Sequence, residues 1–203
     1  MVELFQKGGP IMWPLLLCSL LSLTITAERA IFWLRERRRR DRRVVDGAFS
    51  AAGEGKFEEA ENLLRGSEDM EARVLARGLA HRRHGLAESM ETQAMDEVER
   101  MKRGLPILDT IITMAPLLGI LGTVLGIIES FDFLGDRNIE DPKAVTGGIA
   151  EALLTTAFGL SVALLSLVPY NYLVARVQAR AARLEKIIAN FDAPEQRMPG
   201  VAG

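Results

Sequence analysis

Residues 115–131 read APLLGILGTVLGIIESF, and this stretch decides the fold. All but its last three residues lie in a run without charge, Thr110 to Ile128, close to the roughly 18–20 apolar residues a helix needs to cross a bilayer. Ala115, Gly119, Gly122 and Gly126 follow one another at intervals of four, three and four, which stacks them on one helix face. Small residues at that spacing let two helix backbones approach closely, because lipid supplies no hydrophobic drive for helices to associate.

Two further stretches lack charge, Ile11 to Ala27 and Ala152 to Ala175. The averages conceal this segregation. The chain has 203 residues, is 48% hydrophobic and 26% charged, and carries a formal charge of −2, figures that alone would describe a soluble domain. With the charge packed between apolar stretches, the reading is an all-α integral membrane protein with three transmembrane helices. Helices 2 and 3 are expected to extend into the cytoplasm, with a helical cytoplasmic segment between helices 1 and 2.

The flanks set the orientation. RERRRRDRR, Arg35 to Arg43, follows the first span; Arg100, Lys102 and Arg103 precede the second; Arg176, Arg180 and Arg183 follow the third. The connector Asp132–Lys143 is acidic instead. Positive charge is retained in the cytoplasm, so the N-terminus is expected outside and the C-terminus inside. The start of the chain has too little positive charge for a signal-peptide n-region and no small-x-small cleavage site, so the first span reads as retained. The expected division is 1–34 for the periplasmic N-terminus and span one, 35–104 for a cytoplasmic helical domain, and 105–131 for span two. A short periplasmic loop at 132–143, span three at 144–175 and a cytoplasmic helix with a disordered tail at 176–203 complete it. Gly53, Gly55 and Gly66 punctuate the cytoplasmic domain. From Leu86 onward one long helix is expected to run into span two, bent near Pro106.

Span three repeats the small pattern with Gly148, Ala152, Thr155, Gly159 and Ser166, and with Ala163 beside them. Packing explains the glycines but explains the polar residues less well. Asp109, Thr123 and Ser130 fall at heptad intervals through Pro116; Glu151 opens span three, and Thr155 and Thr156 follow about a turn later. At about 1.5 Å per residue, Thr123 lies about 12 Å and Thr156 about 15 Å below the outer ends of their helices, a common level for antiparallel neighbours. The threonines by themselves suit helix–helix hydrogen bonding as well as a pore. A carboxylate at membrane depth tends to line a cavity or ion path, so Glu151 tips the reading toward a polar conduit.

Other chemistry lacks its parts. Cys18 is the one cysteine, and His81 and His84 have no carboxylate or cysteine pattern to complete a metal set. No activated nucleophile or phosphate loop is present, so no enzyme, cofactor or metal is expected. The near-neutral charge gives no sign of nucleic acid. Three spans without inverted repeats argue against a transporter with its own substrate site. A passive oligomeric scaffold without ion flux is the alternative that the small stripes alone would support.

APLLGILGTVLGIIESF followed by GGIAEALLTTAFGL, residues 147–160, resembles the signature of the MotA/TolQ/ExbB proton channel family, and the three-span layout is most similar to its ExbB/TolQ branch. The segment AFSAAGEGKFEEAENLLR…ARVLARGL resembles the cytoplasmic helices of ExbB-like members. The resemblance implies a proton-conducting stator subunit that couples proton-motive force to work across the cell envelope, such as TonB-dependent transport. It implies a homopentamer in the bacterial inner membrane around two single-span ExbD/TolR-like partners, each with a membrane aspartate, and contact with a TonB/TolA-like protein. By motif position Thr123, Glu151 and Thr156 would line the ion path with Thr155 as their neighbour. Ala115, Gly119, Gly122, Gly126, Gly148, Ala152, Gly159 and Ala163 would form the helix-packing and oligomer surfaces. The lack of further acidic residues within the spans favours protons over sodium. The chain departs from many relatives late in span three, reading ALLS at 163–166 and placing its proline at Pro169. Glu129 lies outside the motif and reads as an interfacial charge.

Overall fold

A computed structural model describes residues 9–82, 85–136 and 142–195. Seven helices account for the main elements: α1 Met12–Arg39, α2 Arg42–Gly53, α3 Phe57–Leu64, α4 Met70–Ala80, α5 Leu86–Lys102, α6 Leu105–Asp136 and α7 Pro142–Glu195. No strand occurs among the described residues. Three stretches are helical, long and apolar enough to cross a membrane, within Met12–Arg39, Leu86–Asp132 and Thr146–Phe191. Their outward faces carry Leu23, Leu164, Leu165 and Val168 in the open. Such a density of bare aliphatic side chains suits lipid and is foreign to a water-soluble monomer. The chain is an all-α membrane protein with three spans.

The chain divides into two compact units. The first comprises Met1–Arg29 and Gly104–Leu173 and holds the spans. Met12, Leu15 and Cys18 of α1 pack with Ile111 and Ala115 of α6 and Val162 of α7, with Leu118 and Phe158 at the margin. A buried hydrogen bond of 2.6 Å between the hydroxyls of Ser22 and Ser166 ties α1 to α7. Hydroxyl pairs between spans hold helices in register where no water competes for the group.

The second unit comprises Ala30–Arg103 and Val174–Gly203. Here α2 packs on α3, α3 on α4 and α4 on α5. Phe49 meets Phe191 edge to face, with ring centres 5.2 Å apart, which joins α2 to the end of α7. Asp41 caps α2 by accepting from the backbone N–H groups of Arg43 and Val44. Asp69 caps α4 through Glu71 N–H at 2.7 Å and also accepts the N–H of Asp41 at 2.8 Å. One carboxylate thus fixes two helix starts.

Buried carboxylates organise this unit. Glu71, only 2% exposed, receives Arg180 at 3.2 Å and Arg183 at 2.5 Å, with Arg40 at 3.8 Å. Burial and the like charges of Arg183 and Arg180 push the Arg40 pKa down from its usual value. Glu97 is held by both nitrogens of an Arg73 fork, at 2.7 and 3.0 Å, and that hydrogen bonding raises the Arg73 pKa. Within the arginine run after span one, Arg40 turns inward to Glu71.

The structure departs from the sequence reading at several boundaries. The expected continuous helix from Leu86 into span two is broken at Arg103–Gly104. Gly104 takes φ +79°, a conformation open to glycine, and Pro106 sits in the first turn of α6, where its missing N–H costs nothing. The helix of span two continues to Asp136, so the first five residues of the expected loop 132–143 are helical; no proline intervenes before Pro142. Residues 137–141 lie outside the described residues. Span three starts at Pro142, so Glu151 stands more than two turns inside α7 rather than at its beginning. The same helix passes Pro169 without a break and runs on to Glu195; the rest of the expected disordered tail lies outside the described residues.

Candidate functional site

The site is built by the seam between α6 and α7 in the first unit. A Cβ on Gly119 would lie 3.0 Å from the Thr156 Cα and 3.2 Å from the Thr155 carbonyl oxygen. A Cβ on Gly159 would lie 2.5 Å from the Ala115 carbonyl oxygen, a collision with backbone that has no side chain to yield. Two backbones in such contact tolerate no side chain at these points. Gly122 faces Thr155, Gly126 faces Ala152, and Gly148 faces Ser130. Ala163 is buried in the same unit. The small residues of spans two and three therefore meet each other within one subunit.

This close approach brings three oxygens together. The hydroxyls of Thr123 and Thr156 form a hydrogen bond to each other. The Gly119 carbonyl lies 3.1 Å from the Thr123 hydroxyl and 2.8 Å from the Thr156 hydroxyl. Each threonine brings one hydrogen and accepting lone pairs, whereas the carbonyl can only accept. Two hydrogens are thus shared among three oxygens, and the hydroxyls can exchange partners by rotating. Both threonines are half-buried.

Neighbouring positions separate. Thr155, expected beside Thr156 on the path, is 1% exposed; its hydroxyl donates to the Glu151 carbonyl at 2.9 Å and its methyl side lies against Gly122. Adjacent helical residues point about 100° apart, so one threonine fills the seam while the other reaches the cluster. Ser130 is likewise enclosed, donating to its own Gly126 carbonyl at 2.7 Å. Asp109, on the same heptad line, is exposed. Glu151 is half-buried, and the backbone of Gly9 passes against its carboxylate. Glu129 is close enough to act on Glu151 electrostatically, so a second carboxylate shares this end of the spans.

Sequence reasoning did not foresee the Gly119 carbonyl, the Gly9 contact or the Ser22–Ser166 pair. Backbone acceptors leave no mark in a pattern of side chains. Ser22 and Ser166 are separated by 144 positions, and only their small polar type hinted at a role. Among the described residues no group of three metal-ligating side chains occurs. His81 donates its Nδ1–H to the Arg77 carbonyl, while His84 lies outside the described residues.

Three apolar helices, two of them packed glycine against backbone around a hydroxyl cluster, define an all-α membrane protein. Residues 66–186 match the sequence model of the MotA/TolQ/ExbB proton channel family, and the chain belongs to that family, in its ExbB/TolQ-like branch. The putative biopolymer transport protein ExbB-like 1 of Synechocystis is 41% identical over 86% of this chain and 71% of its own length. The putative biopolymer transport protein ExbB homolog of Methanothermobacter thermautotrophicus is 32% identical over 92% of this chain and 67% of its own. The Tol-Pal system protein TolQ of Pseudomonas aeruginosa is 35% identical over 54% of this chain and 47% of its own.

Proposed function

We propose that the chain is the proton-conducting stator subunit of an ExbB–ExbD/TolQ–TolR-like motor in the bacterial inner membrane. The single observation that carries this reading is the Thr123–Thr156–Gly119 cluster, in which rotating hydroxyls can pass a hydrogen bond between neighbours. In this reading Thr123 and Thr156 face the membrane carboxylic acid of an ExbD/TolR-like single-span partner. Glu151 serves the outer mouth, gathering protons by its charge and offering a titratable group. Thr155 supports the path by packing, and the glycine seam holds α6 and α7 at the spacing that the cluster requires.

The proposed assembly is a homopentamer around two partner helices, with a TonB/TolA-like protein engaged beyond them. The N-terminus and the 132–143 connector face the periplasm; the 35–104 domain and the 176–203 segment face the cytoplasm. Basic flanks at Arg35–Arg43 and Arg176–Arg183 support this orientation. Cysteine labelling from either side should find positions 38 and 82 inside and position 137 outside. Labelling of position 137 from the cytoplasmic face alone would overturn the topology.

The function itself is tested with Glu151→Gln, which keeps size and removes the charge. Proton uptake into liposomes carrying the chain with its partner should fall while the oligomer stays intact in native mass spectrometry. Unchanged uptake would remove Glu151 from the path. No uptake by the correctly assembled wild-type complex would favour a passive scaffold.

A further inference from the structure

The two threonines of the cluster sit on antiparallel helices, which fixes where the next pair on the same line must fall. Moving fourteen residues toward the cytoplasmic end leads from Thr123 to Asp109 on α6 and from Thr156 to Tyr170 on α7. Fourteen residues are about four helical turns, so both positions return to the cluster's face, about 21 Å further along. Tyr170 and Asp109 come close enough for their side chains to interact, as the register leads one to expect. A phenol O–H can donate and a carboxylate can accept, so the two groups are chemically matched.

The interval between the pairs is also polar at one point. Pro116 lies on the same heptad line inside α6. Proline has no N–H, so the Ile112 carbonyl lacks its usual intrahelical donor. Asp109 itself is exposed on its helix. A bare carboxylate within a span is costly against lipid and belongs where water or a pore receives it.

We propose that Asp109, steadied by Tyr170, is a second proton-handling site, at the cytoplasmic end of the line that begins at Thr123 and Thr156. The proposal rests on the proton-path reading above. A proton arriving through pore water forms an O–H bond with a carboxylate oxygen of Asp109. That bond then breaks toward cytoplasmic water and restores the carboxylate; Tyr170 keeps its own hydrogen throughout. Tyr170 is a positioning residue, since it holds the carboxylate on the face of the line and does not take the transferred proton. The bland alternative is a carboxylate that merely complements the positive N-terminal end of α6.

The test uses the complex of the chain with its single-span partner, in liposomes loaded with a pH-sensitive dye. Uptake is normalised to assembled complex counted by native mass spectrometry. Asp109→Asn keeps size and a hydrogen-bond acceptor for Tyr170 but cannot take up a proton, and uptake should fall about tenfold or more. Asp109→Glu should retain most of the uptake, and Tyr170→Phe should lower it about twofold through looser positioning. Tyr170→Phe also reads the pair independently if Asp109→Asn fails to assemble. Unchanged uptake in Asp109→Asn beside reduced uptake in Thr123→Val overturns the Asp109 assignment and leaves the threonine path standing. Unchanged uptake in Tyr170→Phe removes the positioning role. Absence of uptake in the wild-type complex overturns both readings.

Discussion

The two units of this chain solve the same problem, fixing helices against one another, by opposite means. In the membrane unit the α6–α7 seam has glycines at its closest contacts and brings backbone against backbone, as where Gly159 meets the Ala115 carbonyl. In the other unit buried carboxylates gather arginines from distant segments, Glu71 with Arg40, Arg180 and Arg183, and Glu97 with Arg73. Burial of apolar surface does not separate lipid from a helix interface, so close packing and a few hydroxyl bonds must hold the spans. Where water is the solvent, a carboxylate can be desolvated if several cations compensate it. The contrast also explains where function can reside. A seam this tight leaves little freedom except for hydroxyl rotation, which is the motion that the proposed proton path uses.

The comparison is broken most severely at Glu71. Glu71→Ala leaves three guanidinium groups without their anion, and the loss should be about 3 kcal/mol, read as a lowered thermal transition and faster proteolysis. Glu71→Gln should recover part of this by keeping hydrogen-bond acceptance. In the seam, Gly122→Leu drives a bulky side chain into Thr155 and should cost about 2 kcal/mol or more, seen as a lowered thermal transition of the detergent-purified protein. Because the seam lies within one subunit, Gly122→Leu should destabilise the subunit itself, and hydrogen exchange should rise along both α6 and α7. Exchange altered only at contacts between subunits would contradict the seam assignment. The smallest effect belongs to Ser166→Ala, about 0.6 kcal/mol, since one hydroxyl bond between spans is worth little even in lipid. A loss of several kcal/mol there would show that α1 depends on this bond far more than close packing implies.

Much of the fold was legible because hydropathy and charge are segregated along the chain. The three spans, the glycine punctuation at Gly55 and Gly66 and the helical intervening segment follow from run length and turn chemistry. The Arg103–Gly104 break was not legible, because a lone glycine in a helical pattern is usually tolerated and only its φ reveals a stop. At the candidate site the glycine stripes and the polar residues were visible, but their division of labour was not. Thr155 and Thr156 are chemically identical neighbours, and only the helix phase imposed by Gly119 and Gly122 decides which one reaches the cluster. The destination of the arginine run was hidden for a related reason. A block of like charge gives no sign of which member turns inward, and the partner, Glu71, lies in a different helix.

The measurement that bears most directly on the account is proton uptake by the assembled chain–partner complex, compared among wild type, Thr123→Val and Thr156→Val. Valine keeps nearly the shape of threonine, so the seam should hold and the number of complexes counted by native mass spectrometry should stay close to wild type. The hydroxyl is gone, so the shared hydrogens around the Gly119 carbonyl cannot exchange partners. The account predicts uptake per complex lowered about tenfold or more in each variant. Wild-type uptake per complex in both variants, with assembly weakened instead, would contradict it and leave the threonines as packing residues alone.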